Sequence, residues 1–209
     1  MSGGARTVEV APERLDRWLD GFTQRHGVPE RSAGSDPETV PLVLSAPDGA
    51  IAEMLPWVPG LVDLPARLGL VLLRRGGYAV GLAVGDQLTD HHCGTRYVQS
   101  RTAAGGWSQQ RFARRRGNQA DALVERVVEQ AADRLLDPRG PLVGGLVVGG
   151  DRALVRQVLG AAVLAPLAGL PRREFYDLPD PRLTVLQDAL RRGRARRIRI
   201  SGDLTPGPR

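Results

Sequence analysis

Residues Leu68–Gly85 read LGLVLLRRGGYAVGLAVG, two short apolar runs joined by Arg74-Arg75-Gly76-Gly77. Apolar runs of this length on either side of a glycine turn predict a pair of strands. A third strand is predicted around 96–101 (RYVQSR), then a glycine-rich tip, TAAGGW, ahead of a long helix from about Ser108 to Leu136. Its apolar stripe is Ala122, Leu123, Val127, Ala131 and Leu135, and Asp137-Pro138-Arg139-Gly140 stops it. Further on, LVGGLVVGG (142–150) is a buried-strand run, and 151–164 follows as an amphipathic helix. LTVLQDALRRG (183–193) gives a terminal helix and ARRIRIS (195–201) an edge strand. A hairpin followed by strands alternating with helices predicts an α/β fold, a mixed sheet flanked by helices. There is no internal repeat.

Upstream of this core the pattern is looser. TVEV (7–10) reads as a strand, and Pro12 opens a helix with Leu15, Trp18, Leu19 and Phe22 at helical spacing, ending near His26-Gly27. Residues 29–39, polar and rich in Pro, Gly and Ser, read as a loop, and 40–44 as a strand before an Asp48-Gly49 turn. The proline-interrupted stretch 50–66 reads as a surface-packed connector. The division expected is a small α+β extension over 1–63, a main domain over 64–203 and a flexible tail over 204–209.

Composition narrows the function. The 209 residues hold only nine aromatic side chains, so a core must be made of Leu, Val and Ala. All 29 basic residues are arginine, against 23 acidic ones, for a net charge of +6. Codon bias accounts for the missing lysine; the surplus itself points to a polyanionic partner, most simply nucleic acid. A single cysteine, Cys93, excludes a disulfide framework and a cysteine-based zinc site. No apolar run approaches the length of a membrane span, and the start lacks the apolar core of a secretory signal, so a cytoplasmic protein is expected.

The chemistry concentrates in 101–116, RTAAGGWSQQRFARRR. Gly105-Gly106 permit close backbone approach to a ligand. Ser108, Gln109 and Gln110 place neutral hydrogen-bonding groups where a helix begins, beside its unpaired N–H donors. Arg101, Arg111, Arg114, Arg115 and Arg116 surround them with five positive charges and no acid, a footing for phosphates. The same residues also describe an ordinary helix start: Ser108 as cap, glycines as turn, arginines as a solvated face. A second arginine run, Arg191, Arg192, Arg194, Arg196, Arg197 and Arg199, is either a solvated face or a further RNA contact. Asp90-His91-His92-Cys93 is no convincing metal site, because adjacent histidines in a strand point to opposite faces; a strand-edge loop is expected there. No metal or cofactor is expected. Gly149-Gly150 lacks the remaining residues of a phosphate-binding loop and reads as a strand-to-helix turn.

Gly105, Gly106, Ser108, Arg111, Phe112, Ala113 and Arg114 resemble the central motif of archaeal and eukaryotic class-I peptide-chain release factors, in which GGQ is followed by Ser, two variable residues and Arg-Phe-Ala-Arg. The resemblance extends over roughly 64–201, through the LGLVLL…AVGLAVG hairpin and LVVGGDRALVRQVL. Neither the first 60 residues nor any stop-codon-reading domain matches. Trp107 stands where those factors have their glutamine, and glutamines follow at Gln109 and Gln110. This displacement resembles the Vms-like release factor (VLRF) family, of actinobacterial type. The resemblance implies an RNase H-like catalytic domain and a peptidyl-tRNA hydrolase that frees nascent chains on stalled ribosomes. Its partners would be peptidyl-tRNA and the large ribosomal subunit, with neither membrane nor DNA. Gln109, backed by Gln110, would be catalytic on the Gly105-Gly106 tip. Arg101, Trp107, Ser108, Arg111, Arg114, Arg115, Arg116, Arg196 and Arg197 would contact RNA. A non-catalytic binding module of the same fold, and cleavage of tRNA near its 3′ end, are the alternatives.

Overall fold

The structure, a computed structural model, describes residues 5–36, 39–95 and 108–202, and within 108–119 the backbone alone. Along the chain come β1 (Arg6–Val10), a 3-10 turn at Pro12–Arg14, α1 (Leu15–His26), β2 (Glu30–Ser32), β3 (Leu42–Ser45) and β4 (Ile51–Met54). Next are β5 (Arg67–Arg74), β6 (Gly77–Val84), β7 (Gln87–Thr95) and α2 (Ser108–Leu135). A small ribbon of β8 (Leu136–Asp137) and β9 (Gly140–Pro141) precedes β10 (Gly145–Gly150), α3 (Arg152–Leu159), α4 (Ala165–Ala168) and β11 (Arg172–Phe175). The last elements are α5 (Leu183–Arg194) and β12 (Arg196–Ser201). They form two compact units, one from the described residues of Met1–Leu64 and Arg191–Arg209, the other from Pro65–Leu190.

The first unit is an antiparallel sheet in the order β1-β12-β4-β3-β2. One face carries Val10, Leu44, Ala52, Met54, Ile198 and Ile200, closed over by Phe22 of α1. Leu15, Trp18 and Leu19 pack against the same cluster, as their helical spacing predicts. Three expectations need correction. ARRIRIS is no edge strand: β12 pairs with β1 on one side and β4 on the other. Its alternation, with Ile198 and Ile200 buried between half-exposed arginines, is that of an interior strand with one face on a core. The 29–39 loop contains β2, a three-residue exposed edge strand too short for a hydrophobic pattern. The 50–66 connector begins as β4, with Ala52 and Met54 facing the core. Its remainder is anchored by Trp57, which is buried and donates its indole N–H to the Gly193 carbonyl at 2.7 Å.

The second unit is a mixed sheet in the order β11-β10-β5-β6-β7. The hairpin at 67–84 forms as predicted, β7 continues it antiparallel, and β10 lies parallel to both β5 and β11. Val71, Leu73, Tyr78, Val80, Leu146 and Val148 point to one face, where they meet Leu123, Val127, Ala131 and Leu135 of α2 and Val155 and Val158 of α3. On the opposite face Leu186 of α5 sits over Gly81 of β6. Helices thus cover both faces, the α/β arrangement expected. Ala122 alone departs from the predicted α2 stripe, being exposed, because the buried row repeats every four residues from Leu123.

Two boundaries also move. The third strand is β7, ahead of the 96–101 segment, which lies outside the described residues. The helix predicted over 151–164 stops at Leu159 and is followed by a 3-10 turn at Ala162–Leu164 and then α4. Gly160, a poor helix former, stands at the C-cap of α3 and donates its N–H to the Arg156 carbonyl. At the start of α3, Asp151 accepts hydrogen bonds from Ala153 N at 2.9 Å and Leu154 N at 3.2 Å. Gly150, at φ +99°, makes the turn from β10 into that cap. Strand β11 has no counterpart among the predicted elements, since RREF carries neither alternation nor an apolar run.

Candidate functional site

Ser108 is the first residue of α2, so Gln109 and Gln110 occupy its first turn. The first backbone N–H groups of a helix have no partner within it, and the aligned peptide dipoles make that end positive. No acidic residue lies in this turn. Four arginines follow at 111, 114, 115 and 116, and the first carboxylate is Asp121. Arg111 shares a helix side with Arg114 and Arg115, at spacings of three and four. Among the described side chains of α2, the first packed on the core is Ala120, about 18 Å of helix beyond Ser108. Arg101, Gly105, Gly106 and Trp107 lie outside the described residues. Of Ser108, Gln109, Gln110, Arg111, Arg114, Arg115 and Arg116 the structure gives the helical backbone.

The predicted Asp90–Cys93 loop is instead part of β7, the edge strand that leads toward this segment. Asp90 pairs with Arg134 of α2 at 3.3 Å, and His92 stacks on Tyr78 with ring centroids 5.6 Å apart. Burial pushes the Cys93 thiol pKa up, which lowers its thiolate fraction. Among the described residues no three His, Cys, Asp or Glu side chains converge to hold a metal.

Arg196 and Arg197 lie in the first unit, on β12. Arg196 donates to the Val62 carbonyl at 3.0 Å, and Arg197 to the carbonyls of Pro56 and Trp57 at 3.3 and 3.4 Å. Arg194 pairs with Glu13 at 2.5 Å and Arg199 with Glu53. Arg196 and Arg197 therefore fasten the 56–62 segment to β12, and Arg194, the last residue of α5, is tied to the 3-10 turn at Pro12–Arg14. The sequence signal for this was the Arg-Ile-Arg-Ile alternation, which a charge count passes over. No helix of the described residues is long and apolar enough to cross a membrane.

The family model described as the actinobacteria/chloroflexi VLRF1 release factor matches residues 66–199. A solved structure of an archaeal translation termination factor, aRF1, is similar with a TM-score of 0.39 and 13% identity. That similarity covers 90% of this chain and 64% of the archaeal one, so the chain spans under two thirds of its length. No curated protein matches the sequence.

Proposed function

The chain belongs to the actinobacterial and chloroflexi VLRF1 release-factor family, and on that premise we propose that it is a peptidyl-tRNA hydrolase freeing nascent chains on stalled ribosomes. The observation that carries the reading is the start of α2 at Ser108, which sets Gln109 and Gln110 in the first turn of an arginine-rich, acid-free helix end, one residue on from Gly105-Gly106. In this reading the arginines of 101–116 hold tRNA and ribosomal RNA phosphates. Gln109, with Gln110 beside it, orients a water against the ester carbonyl at the tRNA 3′ end. A backbone N–H of the tip receives the developing oxyanion. A carboxamide is neutral at all working pH, so its task is positioning, and the proton leaves through the tRNA ribose hydroxyl or ribosomal RNA. Trp107 stacks on a nucleotide base. The site of action is the peptidyl transferase centre, in the cytoplasm. The strand order β11-β10-β5-β6-β7 supports the RNase H-like arrangement of the domain.

The test is release of peptide from peptidyl-tRNA on large ribosomal subunits. Wild type releases it, and Gln109→Ala lowers the rate by about two powers of ten while leaving binding intact. A wild type that binds and releases nothing makes the protein a binding module. Loss on Gln110→Ala with Gln109→Ala unaffected moves the role one residue along. A shortened tRNA 3′ end in the product identifies nuclease action instead of ester hydrolysis.

A further inference from the structure

The carboxyl ends of β5, β10 and β11 lie along one edge of the second unit's sheet, since the three strands run parallel with Leu73 beside Gly150 and Gly149 beside Phe175. In open α/β sheets this is the edge at which ligands are held. The register brings Tyr176, the first residue after β11, close to the turn from β10 into α3. Arg152, the first residue of α3, lies over the Tyr176 ring with Cζ 4.4 Å from the centroid. The hydroxyl at the far end of that ring donates to Glu174 at 3.1 Å, and Glu174 also pairs with Arg172 at 3.5 Å. The other carboxylates of this edge are engaged as well. Asp151 caps α3, Asp180 pairs with Arg74 at 3.6 Å, and Asp177 has a partner too. Arg75, Arg152 and Arg156 are exposed, and among the described residues no carboxylate pairs with them. Arg156 stands one turn along α3 from Arg152, on the same side.

We propose that Arg152, seated on Tyr176, is a binding site for single-stranded RNA, with a base stacking on the guanidinium and an adjoining phosphate meeting Arg156. Unpaired bases stack on aromatic rings and on arginine planes, whatever their sequence. A guanidinium already resting on a ring has given up part of its rotamer freedom, so less order remains to be imposed when a base arrives. The tyrosine hydroxyl is taken by Glu174, which leaves the ring as the working part of the side chain. A patch that served charge alone would have no use for that ring, and this separates RNA from an acidic peptide as the occupant. The inference goes beyond the release reading and stands on β11 and α3, whatever reaction the chain performs.

The probe is a fluorescein-labelled decaadenylate, its binding to the full chain followed by anisotropy and its contacts mapped by ultraviolet crosslinking. Trypsin cuts after Arg173 and Arg182, so an adduct at Tyr176 is carried by the peptide 174–182. Wild type gives that adduct, and Arg152→Ala removes it. Arg152→Ala and Tyr176→Leu each lower affinity by about tenfold, while Tyr176→Phe stays within about twofold of wild type. Arg156→Gln lowers the slope of log affinity against log salt by about 0.7. A decamer of abasic ribose phosphates competes about tenfold more weakly than decaadenylate. Equal competition would assign the edge to phosphate alone and overturns the stacking site. Should Tyr176→Leu fail to fold, Arg152→Ala, an exposed residue in the first turn of α3, answers the same question. A folded Arg152→Ala with wild-type affinity overturns the proposal, as does the absence of an adduct on 174–182. Peptide release by a wild type that forms no such adduct refutes this site and leaves the release reading; the adduct without release does the reverse.

Discussion

Leu135→Ala tests how α2 is moored. Leu135 is the last residue of the helix and has no exposed surface. Its methyl groups lie against Gly69 of β5, with Leu146 of β10 beside them. The substitution removes three carbons, about 2.4 kcal/mol at about 0.8 kcal/mol per buried methylene. A residual cavity of about 50 Å³ adds about 1.2 kcal/mol. The second unit is therefore destabilised by about 3.5 kcal/mol, about two and a half powers of ten in its unfolding equilibrium. Gln110 is about 38 Å of helix axis away, so the glutamines are untouched and any release by the folded fraction persists. The assay is pulsed alkylation of Cys93 along a urea gradient, because the chain's one cysteine is half-buried on β7 and reports the second unit. Gly69→Ala supplies the cross-check. Its Cβ would stand 2.8 Å from Leu146 Cδ2 and 3.0 Å from Leu135 Cδ1, an overpacking cost of about 1–3 kcal/mol. In the Leu135→Ala background that cost shrinks, giving a coupling of about 1 kcal/mol. A loss under about 1 kcal/mol for Leu135→Ala, or strict additivity of the pair, refutes the packing argument.

Asp151→Ala removes both bonds of the α3 cap and costs about 1 kcal/mol by the same urea assay; no change shows the cap to be dispensable. The Ala50 N–H and then the His26 side chain hold the Asp48 carboxyl below its ordinary pKa. Its contribution is complete above the unfolded-state value near about 3.9 and is lost as pH falls through the lower folded value. Asp48→Asn accordingly flattens the acid limb of the first unit's stability, read from the pH dependence of denaturant midpoints, and an unaltered limb counts against the bond network. Arg115→Gln lowers the slope of log binding against log salt for ribosomal subunits by about 0.7–0.9 if that guanidinium meets a phosphate; an unchanged slope removes Arg115 from the interface.

The parts of the fold legible in the sequence are those where one physical signal dominates. The 67–84 hairpin and α2 announce themselves because glycine turns and a four-residue apolar row admit few other readings. Strands β2 and β11 were silent: ERS is exposed throughout, and RREF is placed by its parallel pairing with β10, a long-range partner that local letters do not name. For the site, the helix start near Ser108 was readable from the glycine pair shortly before it, a turn signal ahead of a helix-forming run. The bonding of Arg196 and Arg197 to carbonyls at 56–62 was not, because those acceptors are more than a hundred residues away in sequence. Nor did the letters reveal Arg152 over the Tyr176 ring, which depends on the register of two strands.

The position of β12 between β1 and β4 sets an order of events during synthesis. The first unit's N-terminal strands leave the ribosome early, yet the strand that joins them is made only after the whole of the second unit. Until then β1 has no strand partner and β4 lacks one of its two neighbours, each exposing unpaired backbone groups of the kind that recruit foreign strands. The second unit, contiguous over Pro65–Leu190, needs no strand from beyond its own stretch to complete its sheet. A released chain that ends before Arg196 therefore holds every residue of the second unit and an unclosed first one, which makes it a ready substrate for proteolysis.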